Sequence, residues 1–125
     1  MAKFLSNGML DGGLTKFGTA TRITALTGQP TSISDITTDA GSGGMRLAST
    51  TLAGGDFTLS TPVAGARRST VGEKANVTIS VTGTATHVAI DDGTDFAVTT
   101  CTSKALTQND QVTFPEWYRE VTLQA

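Results

Sequence analysis

The stretch that decides the fold is residues 76–100, NVTISVTGTATHVAIDDGTDFAVTT. Across residues 77–82, valine and isoleucine alternate with threonine and serine, which is the two-residue period of a strand with one buried face. A second run follows Gly83, and the DDGTD segment supplies the Asp-Gly chemistry of a tight turn before a third run begins at Phe96. The stretch therefore predicts three consecutive strands with short turns and a polar outer face.

Runs of the same kind recur along the rest of the chain at intervals of about ten residues, with glycine-containing turns between them. Strands are predicted at 21–27, 45–51, 57–60, 67–71, 75–82, 112–114 and 117–123. Phe57 and Leu59 are expected to point inward, and the strands that flank Gly72 and Glu73 are expected to form a hairpin. Residues 1–125 are therefore predicted to form a single, mainly β domain: a sandwich or barrel of about eight antiparallel strands.

Two segments fall outside this pattern. Residues 1–15 are predicted to form a short N-terminal helix or arm, because apolar residues recur there at roughly helical spacing: Phe4, Leu5, Met9, Leu10 and Leu14. Intervening glycines weaken such a helix, so it either packs against the β domain or becomes ordered only on assembly. Residues 31–44 are predicted to be an irregular, flexible loop that Ile33 and Ile36 anchor and that ends in Gly-Ser-Gly-Gly.

The composition narrows the classes of function. Threonine makes up about a fifth of the chain, which favours strands because β-branched side chains suit a pleated surface. The charged fraction is only 16% and the net charge is -2, without a basic run, so nucleic acid is not an expected partner. Arg67 and Arg68 are interpreted as a solvated strand edge or an interface contact. No apolar segment has the length expected of a signal peptide or a bilayer span, so no membrane partner is expected.

The sequence offers little catalytic or metal-binding chemistry. Asp91, Asp92 and Asp95 either hold a cation or form a tight acidic hairpin turn, and their spacing is not that of an EF-hand loop. One cysteine and one histidine cannot make a four-ligand zinc site. His87 lacks the motif of a serine triad, and Cys101 is expected to be a small buried thiol at a strand end. The chain is therefore predicted not to be an enzyme, with no catalytic residue, metal site or cofactor.

Trp117 and Tyr118 are further candidates for a site. They are the only tryptophan and the only tyrosine in the chain, and they stand side by side near its end. Either they close the core as part of a C-terminal strand, or they anchor an interface, because these residue types dominate interface hot spots.

Four segments form a recognisable combination. They are MAKFLSNGMLDGGL at 1–14, the block from SISDITT at 32–38 to DFTLS at 56–60, VTGTATHVAI at 81–90 and VTTCTSKALTQNDQVTFPEW at 98–117. Together they resemble a family of short virion structural proteins of tailed bacteriophages, and the resemblance covers most of the chain. It implies a component of the virus particle: a capsid decoration (cement) protein, or else a minor tail or fibre-associated protein.

Decoration is the expectation that the resemblance favours. Such a protein is made in the cytoplasm of the bacterial host, binds the outer shell of the major capsid protein, contacts neighbouring copies of itself and stabilises the head. The residues expected to bind the capsid are Phe4, Leu5, Met9, Leu10, Trp117 and Tyr118. The alternative is a tail or fibre module that contributes to binding of the host surface, with Trp117 and Tyr118 over a shallow polar groove for glycan.

Overall fold

The computed structural model describes residues 18–64 and 66–122, with side chains described as far as Glu120. In these residues the elements are β1 (Arg22–Leu26), α1 (Ile33–Thr37), β2 (Arg46–Thr51), β3 (Phe57–Ser60), β4 (Ala66–Val71), β5 (Lys74–Thr78), β6 (Gly83–Asp91), β7 (Phe96–Leu106), β8 (Gln111–Phe114) and β9 (Trp117–Thr122). The described strands form three antiparallel sheets, ordered β2-β1-β6-β7, β3-β4-β9 and β5-β8. The prediction of a mainly β fold is confirmed, and these sheets do not close into a barrel.

The described chain divides into two compact units, each built from separate stretches of sequence. The larger unit comprises residues 20–52 and 74–114, and contains β1, β2, α1 and β5 to β8. The smaller unit contains β3, β4 and β9. Because the two units alternate along the chain, neither is a continuous segment, and the prediction of a single domain stays a prediction. The predicted N-terminal helix or arm at 1–15 lies outside the described residues.

The centre of the larger unit is β1, which pairs with β2 on one side and β6 on the other. All residues from Ile23 to Leu26 are buried, so both faces of this short strand lie in the interior. Ile23 and Ala25 share one face with Val88 and Ile90 of β6, as the alternation in the sequence predicts. Thr24 and Leu26 point to the other face.

The helix α1 covers this second face. Its Ile36 is fully buried and packs with Leu26 and Ala89 in one apolar cluster, which Ile33, Met45, Phe96 and Val98 extend. Asp35 holds the first turn, because its carboxylate accepts hydrogen bonds from the Thr31 N–H at 2.9 Å and the Thr31 hydroxyl at 3.2 Å. The Thr31 N–H bond is the main cause that lowers the pKa of Asp35 below its ordinary value.

The prediction of a flexible loop at 31–44 is wrong for most of its length. Its first part is α1, and its second part is a hydrogen-bonded turn in which the Gly44 N–H donates to Asp39 O at 3.2 Å. Isolated bridges join Asp39 to Arg46 and Ala40 to Gly44. The anchoring role of Ile36 is correct. The glycines suggested flexibility. However, backbone hydrogen bonds hold the segment in a turn. This turn needs a glycine at position 44, because the Thr38 backbone lies where a Cβ would be.

The short β5-β8 sheet is joined to the open side of β2. Ile79, which follows β5, forms a bridge with Ala48, and the Ser80 and Val81 N–H groups donate to Leu47 O at 2.8 and 3.2 Å. The predicted hairpin between β4 and β5 is wrong. These strands are adjacent in sequence, but β4 pairs with β3 and β9 whereas β5 pairs with β8. The residues between them, Gly72 and Glu73, lead from one unit into the other.

The β6–β7 hairpin confirms the predicted turn, because Asp92 Oδ1 accepts hydrogen bonds from the Thr94 and Asp95 N–H groups at 2.9 and 2.8 Å. Gly93 has a φ of 92°, which favours glycine. However, β7 does not end near residue 100 but continues to Leu106. Cys101 therefore lies in mid-strand and is exposed, so the expectation of a buried thiol is wrong. In the smaller unit, Leu59 was expected to point inward but is 47% exposed.

Gly44→Ala should destabilise the larger unit strongly. A Cβ at this position would overlap the Thr38 carbonyl oxygen and lie 2.5 Å from its carbonyl carbon, and both atoms belong to a backbone that the turn holds in place. We expect the free energy of unfolding to fall by roughly 2–4 kcal/mol in urea titrations followed by circular dichroism.

Gly28→Ala is the matched control. A Cβ there meets no closer atom than the Met45 sulfur at 4.0 Å, so we expect a change within about 0.5 kcal/mol. Equal stability of the two variants would contradict the close approach of Thr38 to Gly44.

Candidate interaction surface

One face of the β3-β4-β9 sheet carries a stacked cation and aromatic ring. In the register of β4 with β9, Arg68 lies opposite Glu120 and Thr70 lies opposite Tyr118, so these side chains share a face. The Arg68 guanidinium carbon is 3.8 Å from the centroid of the Tyr118 ring. Arg68 Nη2 is 3.5 Å from Glu120 Oε1. We call these three residues the Arg68–Tyr118–Glu120 ladder.

The ladder places a cation against an exposed ring. Tyr118 is 50% exposed, and Arg68 stacks on it. A cation–π contact at an exposed site is worth about 0.5–1 kcal/mol, and an exposed ion pair contributes about 0–1 kcal/mol, so the ladder adds little to the stability of the fold. Its consequence is that one orientation of a large amphipathic side chain is favoured at the surface, which reduces the entropy lost when a partner binds it.

Hydroxyl side chains surround the ladder. Thr58 of β3 lies opposite Thr70, and Ser60 lies opposite Arg68, so the same face continues across all three strands. Thr58 and Ser60 are exposed. The described surface around Tyr118 is therefore rich in hydroxyl groups, and its charges are the one cation and the one carboxylate of the ladder.

Trp117 and Tyr118 do not form a joint site on this face. Successive residues of a strand point to opposite faces, and the register places Trp117 opposite Val71, which is fully buried. Trp117 is half-buried on that side. Each of the two alternatives therefore fits one residue of the pair. Trp117 has the position of a core-closing side chain, and Tyr118 has the position of an interface anchor. The glycan groove that both were expected to line stays a prediction, and in this register the two side chains point to opposite faces of the sheet.

The other residues expected to bind the capsid, Phe4, Leu5, Met9 and Leu10, lie outside the described residues. Among those described, Leu59 and Val63 are exposed apolar side chains, at 47% and 63%. Leu59 lies opposite Ser69, one residue from Thr70, and so points away from the face that carries the ladder.

Asp91 belongs to an ion pair and is not available to a cation. Its carboxylate is fully buried and accepts hydrogen bonds from Arg22 Nε at 3.0 Å and Arg22 Nη2 at 2.6 Å. The Gly93 N–H donates a third bond, at 3.0 Å. Asp92 is engaged by the hairpin turn, so the acidic cluster has the geometry of a structural turn. Among the described residues, no group of histidine, cysteine, aspartate and glutamate side chains is arranged to hold a metal ion.

The hydrogen-bonded ion pair with Asp91 also shifts the pKa of Arg22. The hydrogen bond to the carboxylate raises the pKa of Arg22 above its ordinary value, against the opposing effect of burial. A raised pKa means that the contribution of this group to stability is fully present below the pKa of an unfolded arginine. The Arg22 charge therefore supports the fold around neutral pH.

His87 and Cys101 do not form a catalytic pair in the described structure. His87 Nδ1 shares a hydrogen bond with the Thr86 hydroxyl at 2.8 Å, and the same hydroxyl donates to Thr27 O at 3.0 Å. His87 lies opposite Thr100, not Cys101. Cys101 is exposed, but neighbouring atoms displace part of the water around its thiol and so raise the pKa of that thiol, which disfavours the thiolate that nucleophilic chemistry needs.

Two features of this surface and its support were missed from the sequence. Arg68 was recognised only as one of two adjacent cations, and nothing in the sequence paired it with Tyr118, fifty positions later. The Arg22–Asp91 pair joins residues 69 positions apart, so no local pattern indicates it. The available signal for Arg68 was its alternation with Arg67, which places the two cations on opposite faces of a strand.

Comparisons of the chain with protein-family models, with curated proteins and with solved structures find no match. Within the described residues, no helix has the length and apolar character needed to cross a membrane.

Asp91→Ala should be strongly destabilising, because it leaves the half-buried Arg22 guanidinium and the Gly93 N–H without their acceptor. We expect the free energy of unfolding to fall by about 3–5 kcal/mol, the range for removing one partner of a buried pair.

Addition of Ca²⁺ or of EDTA should leave the thermal midpoint of the wild-type protein unchanged, as measured by differential scanning calorimetry.

Asp110→Ala provides the control, since Asp110 is an exposed acidic residue in a turn of the same unit. Its effect should stay within about 0.5 kcal/mol. A midpoint that rises with Ca²⁺, or an Asp91 variant as stable as the Asp110 variant, would contradict the assignment of Asp91 to an ion pair.

Proposed function

We propose that this chain is a structural protein of a tailed-phage virion, a capsid decoration protein that binds the outer shell of major capsid subunits and stabilises the head. The observation that carries the proposal is the Arg68–Tyr118–Glu120 ladder, in which a half-exposed aromatic ring is stacked against a cation on one face of the sheet. Tyrosine and arginine are the residue types enriched at interface hot spots. The ladder would be the centre of the contact with the capsid.

The character of the whole chain supports this proposal. A low charged fraction and abundant threonine suit a surface that lies against other protein subunits. The resemblance of the four segments to short virion proteins points the same way. The proposed location is the outer surface of the capsid, the proposed partner is the major capsid protein, and synthesis takes place in the cytoplasm of the bacterial host.

Weak contacts suffice for such a role because they are repeated. A protein that touches several neighbouring capsid subunits gains avidity, since the second contact forms at high effective concentration once the first is made. The ladder supplies one such contact on β4 and β9. Phe4, Leu5, Met9 and Leu10 remain proposed as a second one, on a separate part of the chain.

A tail or fibre-associated module that binds glycan of the host surface is the second candidate. Hydroxyl groups of Thr58, Ser60 and Thr70 on the face around an exposed Tyr118 favour it. However, a sugar stacks on the flat face of an aromatic ring, and Arg68 already occupies one face of Tyr118. Trp117, the other ring expected to take part, points to the opposite face of the sheet.

The test is binding of the purified chain to heads of the phage that encodes it, prepared without this protein. Wild-type chain should sediment with heads, and Tyr118→Thr should lose at least tenfold in affinity, about 1.4 kcal/mol, through removal of the ring. Threonine retains a high preference for strands, so the exposed position should keep its fold.

Leu59→Thr is the matched control, because Leu59 is equally exposed on the opposite face of the same sheet. It should bind heads as the wild-type chain does. Binding of Tyr118→Thr at wild-type affinity would exclude the ladder as the contact. Binding of the wild-type chain to tails, and not to heads, would overturn decoration in favour of the second candidate.

A further inference from the structure

The guanidinium of Arg68 is short of hydrogen-bond acceptors. A guanidinium carries five N–H donors, and each donor that is shielded from water needs an acceptor from the protein. The Nε of Arg68 is buried and has no acceptor. Its Nη2 makes one contact, to Glu120 Oε1 at 3.5 Å. This is longer than the separation of about 2.7–2.9 Å in a charge-assisted hydrogen bond.

Two other arginines of the described chain are paired much more closely. Arg22 donates to both oxygens of Asp91, from Nε at 3.0 Å and from Nη2 at 2.6 Å. Arg46 donates from Nε to Asp39 Oδ1 at 2.8 Å. Arg68 differs from both because its Nε takes no part in its ion pair. Its cation is therefore only partly satisfied within the chain.

The reason lies in the register of β4 with β9. Glu120 is directly opposite Arg68, whereas Tyr118 is opposite Thr70, two residues along the strand. The Arg68 side chain leans along β4 to stack on Tyr118, with its guanidinium carbon 3.8 Å from the ring centroid. The stack and the ion pair thus compete for one guanidinium, and the stack leaves Glu120 at the limit of contact.

The Arg68 side chain can still be reached from solvent. It is 29% exposed, the Glu120 side chain is 30% exposed, and both share a face with the half-exposed Tyr118. A partner that covers Tyr118 therefore removes water from a cation that already lacks acceptors. An anion on that partner gains from the lower local dielectric constant. Because the Glu120 contact is long and exposed, displacing it costs little.

The charge of the chain narrows the class of this anion. The net charge is -2 and there is no basic run, so a polyanion such as a nucleic-acid backbone is repelled. A single carboxylate meets no such barrier, and its two oxygens match the fork of a guanidinium.

We propose that the protein bound by the ladder presents an aspartate or glutamate carboxylate to Arg68 and displaces Glu120 from it. In this arrangement Arg68 determines specificity, Tyr118 supplies contact area and orients the guanidinium, and Glu120 is an internal competitor. The inference rests on the proposed function, because it gives the chemistry of the capsid surface that the ladder contacts.

Two opposite charge changes in the ladder test this inference. Arg68→Met keeps an unbranched side chain against Tyr118 but removes the charge and the donors, so affinity for heads that lack this protein should fall at least tenfold. Glu120→Gln removes the competing charge at nearly constant size, so affinity should rise about threefold. Sedimentation of the purified chain with heads measures both changes.

The same charge changes elsewhere in the chain are the controls. Arg119 lies opposite Ser69, so Arg119→Met alters the other face of the same sheet. Glu73→Gln removes an exposed carboxylate between β4 and β5. Both variants should bind heads as the wild-type chain does. Circular dichroism should show an unchanged fold in all four variants, because none of these side chains is fully buried.

The outcomes separate this inference from the proposed function. A wild-type chain that does not bind heads overturns both. If the wild-type chain binds and Arg68→Met binds equally well, the carboxylate partner alone is overturned. Weaker binding of Glu120→Gln than of the wild-type chain means that the partner presents a cation, which also overturns it. A loss in Arg119→Met as large as that in Arg68→Met assigns the effect to net charge, with the same consequence.

Discussion

The larger unit depends on the ion pair between Arg22 and Asp91. It fixes the start of β1 to the end of β6, where the Asp91 carboxylate is fully buried and receives two bonds from Arg22 and one from Gly93. A buried carboxylate is tolerated only when it is paired and hydrogen-bonded, so the two strands have one acceptable register. In that register Leu26 and Ala89 share a face beneath Ile36, and α1 gains the surface on which it packs. A shift by one residue would turn these apolar side chains away from the helix.

Much of the fold followed from alternation in the sequence, and the failures have identifiable physical causes. The strands at 21–27, 45–51 and 112–114, and the Asp-Gly hairpin, were predicted within one or two residues because period and turn chemistry are local. The predicted partner of β5 was wrong because strand pairing depends on long-range packing. A short separation along the chain, here across Gly72 and Glu73, does not decide which strands pair. β7 was predicted too short because a polar, exposed edge strand lacks the apolar alternation by which strands are recognised. The turn at 38–44 was mistaken for a flexible loop because glycine permits both a tight turn and mobility.

The candidate surface was predicted in part. Tyr118 was chosen for its residue type alone, and its exposure agrees with the position of an interface anchor, whereas Trp117 was grouped with it although strand geometry separates neighbours onto opposite faces. Arg68 owes its importance to the pairing of β4 with β9, which the sequence did not reveal. The resulting ladder is a stacked cation and aromatic ring on a polar sheet face. This is the form of surface that can bind a repeated protein lattice with modest affinity at each site.

Quantitative mass spectrometry of separated heads and tails from purified virions is the most direct measurement of the central claim. If the chain decorates the capsid, it will be found in heads in numbers comparable to the major capsid protein. A few copies confined to tails would contradict decoration, and would direct attention to Tyr118 and its surrounding hydroxyl groups as a site for host-surface glycan.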